Sequence, residues 1–148
     1  YGGTWVAETA REMSSLVPAE HVAQRDSVRA GRAHHITVVG AKEVRLLPYA
    51  LKGDMRELVS TMQTLLKDPL GHKSGSSGDP HAVGVGRVVD PADDTNDAYY
   101  VIVDWPAAAT ARAKLGLPPH DFHITLGFRV RDVHGIRKNR LTLISEEI

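Results

Sequence analysis

The sequence predicts an α+β fold, and three observations carry that expectation. Two short stretches that alternate like strands, 34–39 and 122–128, contain the same tripeptide, His35-Ile36-Thr37 and His123-Ile124-Thr125. A helical stripe of apolar residues runs through 54–67, and a strand–loop–strand pattern fills 83–105. Strands and helices are interspersed without a steady βαβ rhythm, which favours antiparallel α+β packing over a doubly wound parallel sheet.

The elements follow in order. Thr4-Trp5-Val6-Ala7 is a short β-prone piece. Residues 9–30 read as helical with a break near Pro18, and 20–30 carry a mixed-charge surface pattern. The first His-Ile-Thr strand occupies about 33–39 and ends at Gly40. Met55, Leu58, Val59, Met62, Leu65 and Leu66 recur at helical spacing over 54–67. Asp54 and Glu57 form a capping-box-like start, and Asp68-Pro69 a stop. Residues 71–80, rich in Gly and Ser, read as a flexible connector. Strands are expected at 83–89 and 98–105, joined as a hairpin by the acidic loop 90–97, whose carboxylates read as a solvated tip. Pro106 opens an Ala-rich helix over 107–117 that Pro118-Pro119 terminates. After the second motif come a turn at 132–135 and a last strand near 141–145.

A chain of 148 residues holds one domain with a real core, so a single domain over 1–148 is expected. Eighteen Lys and Arg balance eighteen Asp and Glu. That balance argues against a nonspecific binder of long duplex nucleic acid, but it leaves room for a small anion held by a local basic patch. The absence of cysteine excludes disulfides, thiolate metal sites and a Cys nucleophile, and fits an intracellular, cytoplasmic setting. No apolar run approaches membrane-spanning length, so no membrane partner is expected. A monomer is expected, and Tyr1 in place of Met reads as a domain excised from a longer chain or as a processed product.

Strand geometry gives the repeated tripeptide its meaning. Side chains alternate faces with period two, so His and Thr at i and i+2 share a face while the Ile between them points to the other layer. In 122–128 the alternation reads as strict, with Phe122, Ile124, Leu126 and Phe128 inward and His123, Thr125 and Gly127 outward. Gly127 then leaves room for a ligand against the backbone. In the first copy His34 shares the face of Ile36 and Val38. Two imidazoles can divide the labour of general acid and base near neutral pH. Two hydroxyls can donate to the non-bridging oxygens of a phosphate. This is chemistry suited to opening a cyclic phosphodiester with no metal and no cofactor. On this reading His123 deprotonates water and His35 protonates the leaving oxygen, though the two labels can be exchanged.

The tetrads His35-Ile36-Thr37-Val38 and His123-Ile124-Thr125-Leu126 resemble the paired motifs of the 2H phosphoesterase superfamily. The stretch 115–128, followed by Asp132-Val133-His134-Gly135-Ile136-Arg137-Lys138, more narrowly resembles the Swiss-army-knife, RNA-repair-like members. The resemblance implies two lobes, each an antiparallel sheet backed by helices, with the motifs lining a central cleft. It implies hydrolysis of 2′,3′-cyclic phosphate ends on RNA or nucleotides, commonly leaving a 2′-phosphate. Some relatives act on cyclic phosphates of ADP-ribose or trim RNA. It carries His35, Thr37, His123 and Thr125 over as catalytic residues.

Further candidates surround these. His134, Arg137 and Lys138 suit a phosphate clamp in the turn after the second motif. His120 lies at the entrance of the motif strand. Of Tyr99 and Tyr100, only one can face a cleft, and Tyr99 is taken as the base-stacking candidate. The acidic loop lacks the pattern of a calcium site, and Gly84-Val85-Gly86 is no dinucleotide fingerprint, since no helix follows it. Two competing readings use the same residues. One is a module that binds a nucleotide or RNA phosphate without cleaving it. The other is a metal-dependent hydrolase built on His34, His35, His120 and His123.

Overall fold

In the computed structural model of the chain, residues 1–40, 42–43, 47, 60–63 and 79–146 are described, the last two by their backbone. The chain separates into two compact units. The first comprises Tyr1–Ile36, Ala82–Val103 and Asp121–Ile148, and the second Thr37–His81 and Asp104–His120.

The first unit opens with two helices, α1 (Thr4–Ser14) and α2 (Ala19–Val28). The β-prone start is therefore helical, a correction with a clear cause. Val6, Thr9, Ala10 and Met13 fall at i, i+3, i+4 and i+7 and are all buried, so a packed helical stripe overrides the local preference of Trp5 and Val6. The Ser14 and Ser15 hydroxyls donate to the Ala10 and Glu12 carbonyls at the helix end. Pro18 then starts α2, as expected of a residue with no N–H to lose. The mixed-charge pattern of α2 is not simply surface, because His21 and Arg25 are buried. Both helices pack on the strand that carries the second motif.

Among the described residues the sheet has four strands in the order β3-β2-β1-β4: β1 (His81–Asp90), β2 (Asp93–Asp104), β3 (Phe122–Phe128) and β4 (Leu143–Glu146). The β1–β2 hairpin is tighter than predicted, with only Pro91 and Ala92 between the strands. The acidic segment around the turn is exposed and also shapes it. Asp90 accepts from the Ala92 N–H, and Asp93 accepts from the Thr95 N–H and hydroxyl. Asn96 is fully buried; its amide donates to the Arg131 carbonyl and accepts from the Val130 N–H, tying the exit of β3 to the hairpin. Asp97 is also buried, contrary to expectation. Its carboxylate meets His21 Nε2 at 2.7 Å and Arg87 Nε at 2.8 Å, clasping α2 to the sheet.

The β2–β3 register locates a bulge that the sequence pattern hides. Tyr99 pairs with Gly127 but Tyr100 pairs with Thr125, so Leu126 is an extra residue in β3. Strict alternation over 122–128 is thereby corrected. His123, Thr125 and Phe128 share the face of Ala98, Tyr100 and Ile102, while Phe122, Ile124 and Gly127 share the face of Tyr99, Val101 and Val103. The packing agrees, since Phe128 lies in one core cluster with Val88, Ala98, Tyr100, Ile102 and Val133. Gly127 faces α2, and a Cβ there would lie 2.6 Å from the His21 carbonyl carbon. It is a glycine for close helix approach, not an opening for a ligand.

The first His-Ile-Thr stretch is not a strand but a single bridge. Ile36 pairs antiparallel with Ile124, and its own N–H and carbonyl bond the Tyr1 backbone at 2.8 and 2.9 Å. β4 pairs antiparallel with β1, Val85 opposite Ser145, after a 3₁₀ turn at Arg140–Thr142.

The second unit contains α3 (Pro106–Lys114), with Pro106 at its first turn as predicted. Its centre is Arg112, whose side chain is 1 % exposed. The guanidinium pairs with both Glu43 oxygens, and donates to the Val38 carbonyl at 2.7 Å and the Pro118 carbonyl at 2.6 Å. It thus fixes the chain just after the first motif and just before the second. These hydrogen bonds hold the Glu43 carboxyl below its ordinary range. Residues 60–63 are helical, inside the helix expected over 54–67. The remainder of that helix and residues 71–78 of the connector lie outside the described residues.

Two outcomes follow from this packing. Gly127→Ala forces α2 off β3, because the obstructing atoms are backbone, and should cost about 1–3 kcal/mol in denaturant unfolding. Burial alone would raise the Asp97 carboxyl, but hydrogen bonds from His21 and Arg87 outweigh it and hold it below its ordinary value. Its stabilisation is therefore complete above the unfolded carboxyl pKa of about 3.9 and is lost as pH falls through the depressed folded value. Asp97→Ala should lower stability by about 3 kcal/mol at pH 7, with the gap to the parent narrowing in acid.

Candidate active site

The motif histidines reach the site by different routes. His123 stands on β3, and His35 precedes the Ile36 bridge. Because Ile36 and Ile124 are partners, the residues beside them point to the opposite face of the sheet. His35 therefore shares the face of His123 and Thr125. Within this unit the bridge brings three of the four motif residues to one side of one strand. Thr37, half-exposed, is the first residue of the second unit.

The contacts of His123 define its tautomer. Lys138 Nζ lies 3.5 Å from Nε2, and an ammonium can only donate, so Nε2 accepts. Nδ1, 3.2 Å from the Asp121 carbonyl, therefore carries the proton. Tyr100 meets the imidazole edge-on, with ring centroids 5.8 Å apart, and the same ring lies 5.5 Å from Lys138 Nζ. The Tyr100 hydroxyl donates to Thr142 Oγ1. Gly86 makes room for this ring, since a Cβ there would come within 2.6 Å of it.

Asp132 organises the other half. Its Oδ2 accepts from Arg29 Nη2 at 2.9 Å and from the Thr125 hydroxyl at 3.1 Å. Its Oδ1 accepts from the Val133 N–H at 2.8 Å and lies 3.5 Å from Lys138 Nζ. Burial pushes the Asp132 carboxyl up, but Lys138, the Val133 amide and Arg29 more than offset this, so it stays ionised below the usual range. Lys138, only 5 % exposed, is pushed down by burial, with Asp132 opposing. His35 is lowered from the ordinary histidine value, first by desolvation and next by the positive charge of Arg29.

The other candidates divide. Lys138 joins His123, as described. Arg137 is exposed, and its guanidinium grips the Asp121 carboxylate at 2.6 and 3.0 Å, so it braces the residue whose carbonyl orients His123. His134 is exposed. His120 belongs to the second unit, where its charge helps to lower Glu43. Tyr99 is a correction: it points to the helix face, edge-on to His21 with centroids 5.1 Å apart and beneath Arg87. The period-two rule puts Tyr100 on the motif face instead. Arg29, Tyr100 and Asp132 are site residues that the sequence did not single out. Tyr100 was the alternative that strand alternation left open, whereas nothing local marks Arg29 or Asp132. Among the described residues, no three His, Asp or Glu side chains converge as a metal-ligand set, and no helix is long and apolar enough to cross a membrane.

A pair of histidines beside a hydroxyl and two cations, with a carboxylate fixing the donors, is the equipment of a phosphoester hydrolase. A model of the Swiss Army Knife, 2H phosphoesterase domain matches residues 5–134, and the chain belongs to that family. Membership implies phosphoester hydrolysis. No curated protein and no solved structure matches the chain.

The dependence of this arrangement on Asp132 is measurable. Asp132→Asn removes the charge that balances Arg29 and Lys138 while preserving shape, and should lower unfolding free energy by about 2 kcal/mol.

Proposed function

We propose that the protein hydrolyses a cyclic phosphodiester on a ribose, a 2′,3′-cyclic phosphate end of RNA or of a nucleotide, by two-histidine acid–base catalysis without a metal. The observation that carries this reading is the Ile36–Ile124 bridge, which turns His35 and His123 to one face of β3. The two-lobed domain with a cleft between the motifs, and a cytoplasmic setting, belong to the same proposal.

In this mechanism Lys138 turns from His123 Nε2 to the bound phosphate, and Nε2, whose lone pair is kept because Nδ1 holds the proton, takes a proton from water as the water oxygen bonds to phosphorus. The bond from phosphorus to the ribose 3′-oxygen breaks, and His35 delivers its proton to that oxygen. The product is a 2′-phosphomonoester. Arg29 beside His35 makes its imidazolium a stronger acid, which speeds proton delivery and narrows the pH range in which the acid is loaded. Thr37, Thr125 and Lys138 contact the phosphate oxygens. Thr125 spends its proton on Asp132 in the resting site, so it turns toward the phosphate only when a substrate oxygen competes.

His35→Ala and His123→Ala should each reduce ring opening of 2′,3′-cyclic nucleotides by about 10²–10⁴-fold, with folding intact. The kcat/KM profile should be bell-shaped, its alkaline limb set by His35 and lying below the ordinary histidine value. Excess chelator should leave the rate unchanged. Full activity in either variant defeats the mechanism, loss of activity with chelator defeats its metal-free part, and tight nucleotide binding with no product favours a binding module.

A further inference from the structure

Arg29 stands at the C-terminal end of α2, in a stretch whose sequence reads as a charged surface. Its side chain is 24 % exposed, and its guanidinium lies over the Phe128 ring, 5.9 Å from the centroid. One amino group is committed, Nη2 to Asp132 Oδ2 at 2.9 Å. Nε and Nη1 have no partner among the described residues. Asp132 also holds the Thr125 hydroxyl, so Arg29 and Thr125 are fixed by the same carboxylate oxygen. The ring of Phe128 and the charge of Asp132 together remove the freedom that makes an exposed arginine a poor catalyst. Lys138 faces the other oxygen of the same carboxylate. Two cations against one carboxylate leave one net positive charge on the motif face before either histidine is protonated. A cyclic phosphodiester carries one negative charge, and its five-coordinate transition state gains a second on the non-bridging oxygens. Donors already aimed at that growing charge stabilise the transition state more than the ground state.

Resting on the hydrolytic reading above, we infer that Arg29 is a catalytic residue that donates to a non-bridging oxygen of the scissile phosphate through Nη1, while Asp132 holds Nη2 in place. The motif threonines are then not the main neutralisers of the transition state.

The test is the rate on the two diastereomers of a 2′,3′-cyclic phosphorothioate, in which sulfur replaces one or the other non-bridging oxygen. The wild-type protein should prefer one diastereomer, because a guanidinium tolerates sulfur poorly on the oxygen it holds. Arg29→Gln should lower kcat on the all-oxygen substrate by about a hundredfold, change KM by less than about threefold, and erase the preference for one diastereomer. Arg29→Lys keeps the charge and the Asp132 pairing but loses the planar fork, and should restore stability without restoring the preference. A merely structural arginine would change melting temperature and leave the preference in place. Equal wild-type rates on the two diastereomers overturn the inference without any variant, as does a preference that survives in Arg29→Gln. Should the wild-type protein open neither ring, the hydrolytic reading falls and binding decides the role of Arg29. Adenosine 2′-phosphate should bind Arg29→Gln about tenfold more weakly, and equal dissociation constants overturn the assignment.

Discussion

The pairing of Ile36 with Ile124 is the constraint on which the site depends. It is one bridge rather than a ladder, yet it fixes a parity. An isoleucine from each motif must point into the helix-backed layer, and both are fully buried there. Once they do, His35 has no choice of face. The apolar residue between His and Thr is thus what aims the polar ones, and its burial, worth about 1.5–3 kcal/mol per side chain, supplies the energy that holds them. The backbone bonds of Ile36 to Tyr1 occupy the opposite edge of that residue, so its orientation is defined from two sides.

The second constraint is electrostatic. Asp132 accepts from a helix arginine, a strand hydroxyl and a loop amide, and faces a buried lysine. A carboxylate is expensive to bury alone and a lysine more so; side by side they become tolerable. The group that stabilises the fold at this point also orders the donors at the motif face. The His21–Asp97–Arg87 cluster on the other face has the same style of construction and seats α2.

Sequence reasoning reached the elements whose signals are local. The hairpin, the proline-started helix, the turn after β3 and the second motif strand all follow from turn chemistry and alternation. What it missed is tertiary. Trp5 and Val6 favour strand until the burial of Ala10 and Met13 one and two turns on is known. Gly127 looks like space for a ligand until a helix is placed on it. Asp97 looks solvated until His21 and Arg87 arrive from 76 and 10 residues away. Arg112, Arg29 and Asp132 matter because of partners distant in the chain, and no periodicity encodes such partners. Tyr99 and Tyr100 show the limit most sharply. Alternation announced that only one could serve the motif face, and only the register decided which.

That register turns on Leu126. The extra residue keeps Phe128 in the core beside Tyr100 and Gly127 against α2, while His123 and Thr125 stay on the motif face. An evenly pleated strand could not satisfy all four at once. The number of residues in the strand is therefore a constraint separate from their chemical type. Deleting that one residue would turn either the motif or the phenylalanine to the wrong layer.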